Sequence, residues 1–88
     1  GLASANRDPE KWGSTADDLD IVREGAAQHV SFGSGIHYCL GASLARLEAQ
    51  VAIGTFVRRF PNARLAGDLE WNGRINLRGL EHLPVAVD

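Results

Sequence analysis

The sequence has no methionine and only one cysteine, and each scarcity limits what the chain can be. Because position 1 is Gly1 rather than Met, we expect that residue 1 is not a natural start and that the 88 residues are part of a longer protein. With Cys39 as the only cysteine, no internal disulfide can form. A lone cysteine is typical of a reducing compartment or of a reactive or metal-ligating thiol. The residues around Cys39 must therefore indicate which of these roles it has.

Long hydrophobic runs and an excess of positive charge are also missing. No apolar stretch approaches the roughly 20 residues needed to cross a membrane, and the first residues lack a signal-peptide pattern. The net charge is -2, and the arginines are separated by apolar positions. We therefore predict a cytoplasmic protein without a membrane or a nucleic acid as partner. The composition, 44% hydrophobic and 23% charged, is that of an ordinary globular chain.

The helical pattern is strongest in the middle of the chain. Residues 1–21 are rich in turn formers and predict a loop with at most one short helical turn. Large apolar residues then recur every three to five positions, namely Leu40, Leu44, Leu47, Val51 and Phe56. This spacing predicts an amphipathic helix over residues 41–59 that packs its apolar stripe into a core, and Pro61 prevents its continuation.

The last third of the chain favours strands. Asn72-Gly73 suits a tight type I′ turn, and the apolar residues on either side of it predict a β-hairpin, Leu69 and Trp71 before the turn and Ile75 and Leu77 after it. Leu83, Val85 and Val87 alternate around Pro84 and predict a last strand at a sheet edge.

Cys39 lies just before the predicted start of the helix. Unpaired amides and the positive end of the helix dipole stabilise a thiolate at such a position, and Leu40, Gly41 and Ala42 carry the amides that could point at the sulfur. Gly33 and Gly35 let the preceding loop bend sharply, and Gly41 lets the backbone lie against a flat ligand.

The segment Phe32-Gly33-Ser34-Gly35-Ile36-His37-Tyr38-Cys39-Leu40-Gly41 resembles the signature of the cytochrome P-450 family, Phe-Gly-x-Gly-x-(Arg or His)-x-Cys-x-Gly. The resemblance implies that Cys39 is the axial ligand of the iron in haem b (iron protoporphyrin IX). It also implies that Phe32 packs beside the sulfur, that His37 donates to a haem propionate, and that Gly41 allows the helix to pass under the porphyrin. Gly33, Gly35 and Leu40 complete the implied haem-binding loop.

Two further stretches carry the same resemblance. Ala5-Asn6-Arg7-Asp8-Pro9 is similar to a motif of the soluble bacterial members, and Arg78-Gly79-Leu80 with Leu83-Pro84-Val85 is similar to their C-terminal ending. Trp12 and residues 13–16 depart from the family pattern. The implied fold is an α+β fragment of the mainly α cytochrome P-450 fold. It comprises a meander over 1–31, a Cys-ligand loop over 32–41, a proximal helix over 41–59 and a β region over 60–88.

The resemblance implies a haem-thiolate monooxygenase, an oxidoreductase that inserts one atom of O2 into a small hydrophobic organic substrate. Electrons would come from NAD(P)H through a ferredoxin reductase and a ferredoxin. The family's last substrate-contacting turn aligns with Asn76 and Leu77. The family's oxygen-activating helix and its Glu-x-x-Arg pair would precede Gly1, so we expect the 88 residues alone to be inactive.

Other interpretations of the same residues remain open. Gly33-x-Gly35 is compatible with a phosphate-binding loop, although Tyr38 stands where a dinucleotide fingerprint needs its third glycine. A zinc or interaction module could use His29, His37 and Cys39, although the usual cysteine pair is missing. Cys39 with His37 could also form a thiol-hydrolase pair, but no third orienting group is specified. A degenerate haem-binding paralogue or a haem sensor is a further alternative.

The arginines admit two interpretations. Arg46, Arg58 and Arg59, with Arg23 in the preceding loop, could form a basic surface for an acidic electron donor, or they could be an ordinary solvated face. Arg23 could instead be internal.

Overall fold

The computed structural model describes residues 1–88, which form two compact units, Gly1–Ala45 and Arg46–Asp88. Each unit is described by itself below.

The first unit begins with two four-residue helices, α1 (Leu2–Ala5) and α2 (Pro9–Trp12). The sequence predicted at most one helical turn here, so it underestimated the helical content of this region. The local reason for α2 is a complete N-terminal cap. Asp8 Oδ1 accepts a hydrogen bond from the Glu10 amide at 2.9 Å, and Pro9, whose φ is preset for a helix, occupies the first turn.

The remainder of the first unit consists of loop and two 3₁₀ turns, Ala26–Gln28 and Gly35–His37. The half-buried side chain of Asn6 joins the start of the unit to its second half. Asn6 Nδ2 donates to Ser31 Oγ at 2.9 Å, and Asn6 Oδ1 accepts from the Val30 amide at 2.8 Å. These bonds hold the chain at the base of the predicted Cys-ligand loop.

The central helix, α3 (Ala42–Arg59), has 18 residues and confirms the predicted helix, beginning one residue later than expected. Arg58 and Arg59 lie in its last turn, where positive charge complements the helix dipole. The Phe60 amide donates to the Phe56 carbonyl oxygen at 2.8 Å before Pro61 ends the helical pattern.

The apolar stripe of α3 is not packed into a core within these 88 residues. Leu44, Leu47 and Val51 are 57–59% exposed, and Ala42 is the one buried hydrophobic residue. Ile53, which lies off the predicted stripe, is also exposed. A helix that is apolar on more than one side is typical of a helix enclosed within a larger protein.

The second unit contains two small antiparallel sheets. In the first, β1 (Arg64–Leu65) pairs with the last strand, β4 (Val85–Ala86), with Arg64 opposite Ala86 and Leu65 opposite Val85. The Ala66 amide extends this pairing by donating to the Pro84 carbonyl oxygen at 2.9 Å. The predicted final strand is confirmed, and both strands of a two-stranded sheet are edges.

The predicted hairpin is right in its first strand and wrong in its second. Strand β2 (Glu70–Trp71) pairs with β3 (Leu80–His82), whereas Ile75 and Leu77 lie in the loop between them. Asn72 and Gly73 open this longer loop, and Gly73 has the positive φ of 67° that the dipeptide favours. The two-residue turn does not form because the Asn72 amide donates instead to the Gly79 carbonyl oxygen at 2.9 Å, which continues the β2–β3 pairing.

None of the helices is both long enough and apolar enough to span a membrane.

Candidate functional site

The predicted Cys-ligand loop is closed by its own backbone. The Cys39 amide donates to the Phe32 carbonyl oxygen at 2.8 Å, so the two ends of the loop lie side by side. Within the loop, the 3₁₀ turn Gly35–His37 is closed by the Tyr38 amide, which donates to the Gly35 carbonyl oxygen at 3.1 Å. Because these bonds are local, the motif by itself specifies the shape of the loop.

Two glycines make this closure possible. Gly33 and Gly35 have φ values of 74° and 59°, which residues with a Cβ rarely adopt. At Gly33 a Cβ would also be crowded, because it would lie 3.1 Å from the His37 carbonyl oxygen. The sequence-based expectation that these glycines allow a sharp bend is therefore confirmed in the backbone.

Cys39 carries a free and exposed thiol at the end of the loop. Its Sγ lies 3.8 Å from the point where a Cβ would stand on Gly41, so the chain entering α3 passes close to the sulfur. One expected amide donor is used elsewhere, since the Ala42 amide donates to the Cys39 carbonyl oxygen at 3.3 Å. The amides of Leu40 and Gly41 remain the predicted donors to the sulfur.

Two apolar side chains close to Cys39 in sequence are exposed. Ile36 is 97% exposed, and Leu40 is fully exposed. Phe32 is half-buried, and its ring lies 6.4 Å from that of Tyr38 in an edge-on arrangement and 5.8 Å from that of His29. A loop that carries both an exposed thiol and uncovered apolar side chains is suited to a large apolar ligand that binds through a soft metal.

The two histidines near the loop have different environments. His29 Nδ1 accepts a hydrogen bond from the Ser31 amide at 3.2 Å, so one ring nitrogen of His29 is bonded to the backbone. His37 is exposed in the 3₁₀ turn. No group of three or more His, Cys, Asp or Glu side chains is arranged to hold a metal ion in residues 1–88, which counts against the zinc interpretation.

Arg23 is internal to the first unit, a role that the sequence left undecided. Its guanidinium donates to the carbonyl oxygens of Trp12 (3.3 Å), Thr15 (2.6 Å) and Asp18 (3.2 Å), and to Thr15 Oγ1 (3.0 Å). Arg23 therefore holds the loop over residues 12–18 and does not belong to a basic docking surface. Sequence reasoning could not find this role because three of the four acceptors are main-chain oxygens.

An open cavity of about 280 Å³ lies beside this loop. Its lining combines apolar side chains, among them Trp12 and Leu19, with the polar side chains of Asn6, Arg23 and His29. Cys39 is not among the lining residues, so the cavity is separate from the predicted ligand site.

The basic residues of α3 lie in the second unit. Arg59 places its guanidinium 5.6 Å from the centre of the Phe60 ring, and both Arg58 and Arg59 are exposed. Arg46, near the start of α3, is exposed as well.

The predicted substrate-contacting residues, Asn76 and Leu77, lie in the loop between β2 and β3 of the second unit. Leu77 is 88% exposed and has a positive φ of 52°. Asn72 Nδ2 donates to the Leu77 carbonyl oxygen at 2.9 Å. The predicted haem-binding residues therefore lie together in one loop, and the two predicted substrate-contacting residues lie together in another.

Comparison with known proteins is consistent across sequence and structure. The sequence pattern of the cytochrome P-450 family matches residues 7–66. Cytochrome P-450 107B1 of Saccharopolyspora erythraea is 52% identical over 87 residues, which is 96% of this chain and 21% of that protein. The 6-deoxyerythronolide B hydroxylase of the same organism is 42% identical over 88 residues, or 97% of this chain and 21% of that protein.

A solved structure of the tirandamycin C-bound monooxygenase TamI superposes with a TM-score of 0.90 at 53% identity, covering 100% of this chain and 22% of that one. The chain thus spans about a fifth of the length of the relatives that it matches.

Proposed function

This chain belongs to the cytochrome P-450 family, and we propose that it supplies the haem-ligating part of a monooxygenase, with the Cys39 thiolate as the axial ligand of the iron. Members of this family carry haem; that the form here is haem b is part of the proposal. The observation that carries it is the closed loop from Phe32 to Cys39, which presents a free, exposed thiol at the start of α3.

The residues present fit a haem group. A thiolate is a soft, anionic ligand suited to iron, and Ile36 and Leu40 offer apolar surface beside it. The imidazole of His37 can donate an N–H to a propionate carboxylate, and the exposure of His37 leaves the ring accessible. Gly41 leaves space beside the sulfur for a flat ligand. We assign Phe32, Gly33, Gly35, His37, Leu40 and Gly41 as the residues around the haem.

A thiolate-ligated haem supplies the oxygen chemistry, because the thiolate donates electron density to the iron and favours O–O cleavage. The chain's own contribution is to hold Cys39 in place at the end of its closed loop. The amides of Leu40 and Gly41 are the donors that we assign to the bound sulfur, and the apolar side chains of Ile36 and Leu40 would exclude water once they are covered.

The further assignments rest on the family. We propose that the complete enzyme inserts one atom of O2 into a small hydrophobic organic substrate, which Asn76 and Leu77 contact, and that it acts in the cytoplasm. Electrons would arrive from NAD(P)H through a ferredoxin reductase and a ferredoxin. Arg58 and Arg59, exposed on α3, could supply positive charge for an acidic donor, whereas Arg23 is excluded by its internal hydrogen bonds.

The test of the ligand assignment is Cys39→Ser in the complete protein, with Ser43→Ala as the control. Ser43 is exposed and lies four positions from Cys39. A serine hydroxyl is neither anionic nor soft, so we expect the reduced, carbonyl-bound protein to lose the red-shifted Soret band of a thiolate-ligated haem. The control should keep that band. An unchanged band in Cys39→Ser would end the assignment, and a normal band without turnover of any substrate would favour the sensor alternative.

A further inference from the structure

Asn72 makes three hydrogen bonds across the loop between β2 and β3. Its amide donates to the Gly79 carbonyl oxygen at 2.9 Å, its Nδ2 donates to the Leu77 carbonyl oxygen at 2.9 Å, and its Oδ1 accepts from the Arg74 amide at 3.1 Å. Both ends of the carboxamide are therefore bonded inside the loop, and the side chain cannot rotate without losing both bonds. Asn72 is half-buried, whereas the loop tip is exposed.

Leu77, to which the Asn72 side chain is bonded, has an unfavourable backbone conformation. Leu77 is the one residue other than glycine with a positive φ in residues 1–88, and a Cβ makes that conformation costly. Such a conformation persists only where the surroundings enforce it. The bond from Asn72 Nδ2 to the Leu77 carbonyl oxygen fixes the peptide that follows Leu77 and so favours this backbone.

A second contact holds the base of the same loop. The Arg78 guanidinium lies 3.8 Å from the centre of the Trp71 ring, next to the pairing of Trp71 with Leu80. The base is thus fixed by strand pairing and by this stacking, while the tip depends on the side chain of Asn72. Ile75 and Leu77 extend from the tip, 97% and 88% exposed.

We propose that Asn72 is a positioning residue that sets the direction in which Leu77 meets the substrate. The inference rests on the proposed contact between Leu77 and substrate and adds the residue through which that contact is oriented. In this proposal Asn72 acts through Leu77, because both ends of its carboxamide are bonded within the loop.

The experiment uses Asn72→Asp in the complete haem-loaded enzyme. Aspartate keeps an oxygen for the Arg74 amide but replaces the donor to Leu77 with a second acceptor, so only one bond is broken. Asn62→Asp, an exposed position outside this loop, makes the same change of charge and is the control. Asn72→Ser, uncharged and too short to reach Leu77, serves if the aspartate variant does not fold.

The probe is clotrimazole, an azole whose imidazole binds haem iron and which carries bulky aryl groups, with affinity read from the shift of the Soret band. Loss of one neutral hydrogen bond predicts about 3- to 10-fold weaker binding for Asn72→Asp and no change for Asn62→Asp. The decisive measurement is a double-mutant cycle with Leu77→Ala. In that background Asn72→Asp should have no further effect on affinity, because its effect passes through the Leu77 side chain.

The other outcomes separate the two proposals. If Leu77→Ala leaves clotrimazole affinity unchanged, the proposed substrate contact fails and the inference fails with it. If Leu77→Ala weakens binding but Asn72→Asp does not, or if the two effects add, the contact stands and the positioning role is overturned. Absence of any azole-induced shift in the unaltered enzyme would contradict the haem assignment.

Discussion

Replacement of the loop glycines by alanine tests whether the backbone of the Cys-ligand loop sets the stability of the site. Gly33 and Gly35 both have positive φ, but a Cβ at Gly33 would lie 3.1 Å from the His37 carbonyl oxygen, whereas a Cβ at Gly35 meets nothing within 4 Å. The two substitutions therefore share a conformational cost and differ in one steric contact. Gly54, a helical glycine in α3, provides the control.

The magnitudes follow from these contacts. Holding an alanine in the left-handed region costs about 1–2 kcal/mol. The lower entropy of the unfolded chain offsets about 0.4–1 kcal/mol of this cost. Gly35→Ala should thus destabilise by about 0.8 kcal/mol, the middle of a range from about 0 to about 1.6 kcal/mol. Gly33→Ala adds the crowding against a fixed carbonyl oxygen, about 1 kcal/mol or more.

Gly54→Ala should stabilise by about 0.5–1 kcal/mol, because alanine favours the helix. The atom nearest its new Cβ, at 3.0 Å, is Nη1 of the flexible Arg58 side chain, which can move aside.

The assay is urea unfolding of the complete haem-loaded enzyme, followed by the Soret band and by far-UV circular dichroism. The expected order of stability is Gly54→Ala, then the unaltered protein, then Gly35→Ala, then Gly33→Ala. Equal stability of Gly33→Ala and Gly35→Ala would refute the steric contact with His37. Equal stability of both variants and the unaltered protein would refute the claim that positive φ is required in this loop.

Three further outcomes are expected. His37→Ala should weaken haem retention without moving the Soret band of the haem that stays bound, because it removes a propionate hydrogen bond and not an iron ligand; loss of the red-shifted band with haem still bound would contradict this role. Leu77→Phe should change substrate affinity or the position of oxygen insertion while the resting haem spectrum stays the same, and identical affinity and products would count against the contact. Residues 1–88 alone should not hold haem as a stable thiolate complex, since Ala42 is the one buried hydrophobic residue and the apolar stripe of α3 is uncovered. A monodisperse monomer with a stable thiolate-type spectrum, seen by sedimentation and absorbance, would contradict this expectation. It would show that the 88 residues bind haem without the rest of the protein to cover the apolar side chains of α3.

The amino-acid sequence was sufficient for the features that depend on near neighbours. The apolar spacing from Leu44 onward and Pro61 predicted α3 to within a residue at its start, because helical hydrogen bonds join residues four apart. The bends at Gly33 and Gly35 followed from residue type alone. The motif around Cys39 was also enough to recognise the family, which the comparisons then showed.

Only the tertiary structure decided which distant groups meet. Strand β1 pairs with β4, which lies some 20 residues further along the chain. Strand β2 pairs with Leu80–His82 and not with the nearer residues Ile75 and Leu77. Strand pairing depends on contacts that alternation in the sequence does not encode. Arg23 and Asn72 bind main-chain oxygens, which every residue carries, so no sequence pattern marks their partners. The sequence by itself therefore determined the local geometry that presents Cys39, and the three-dimensional contacts decided which polar side chains hold the loops of the two units in place.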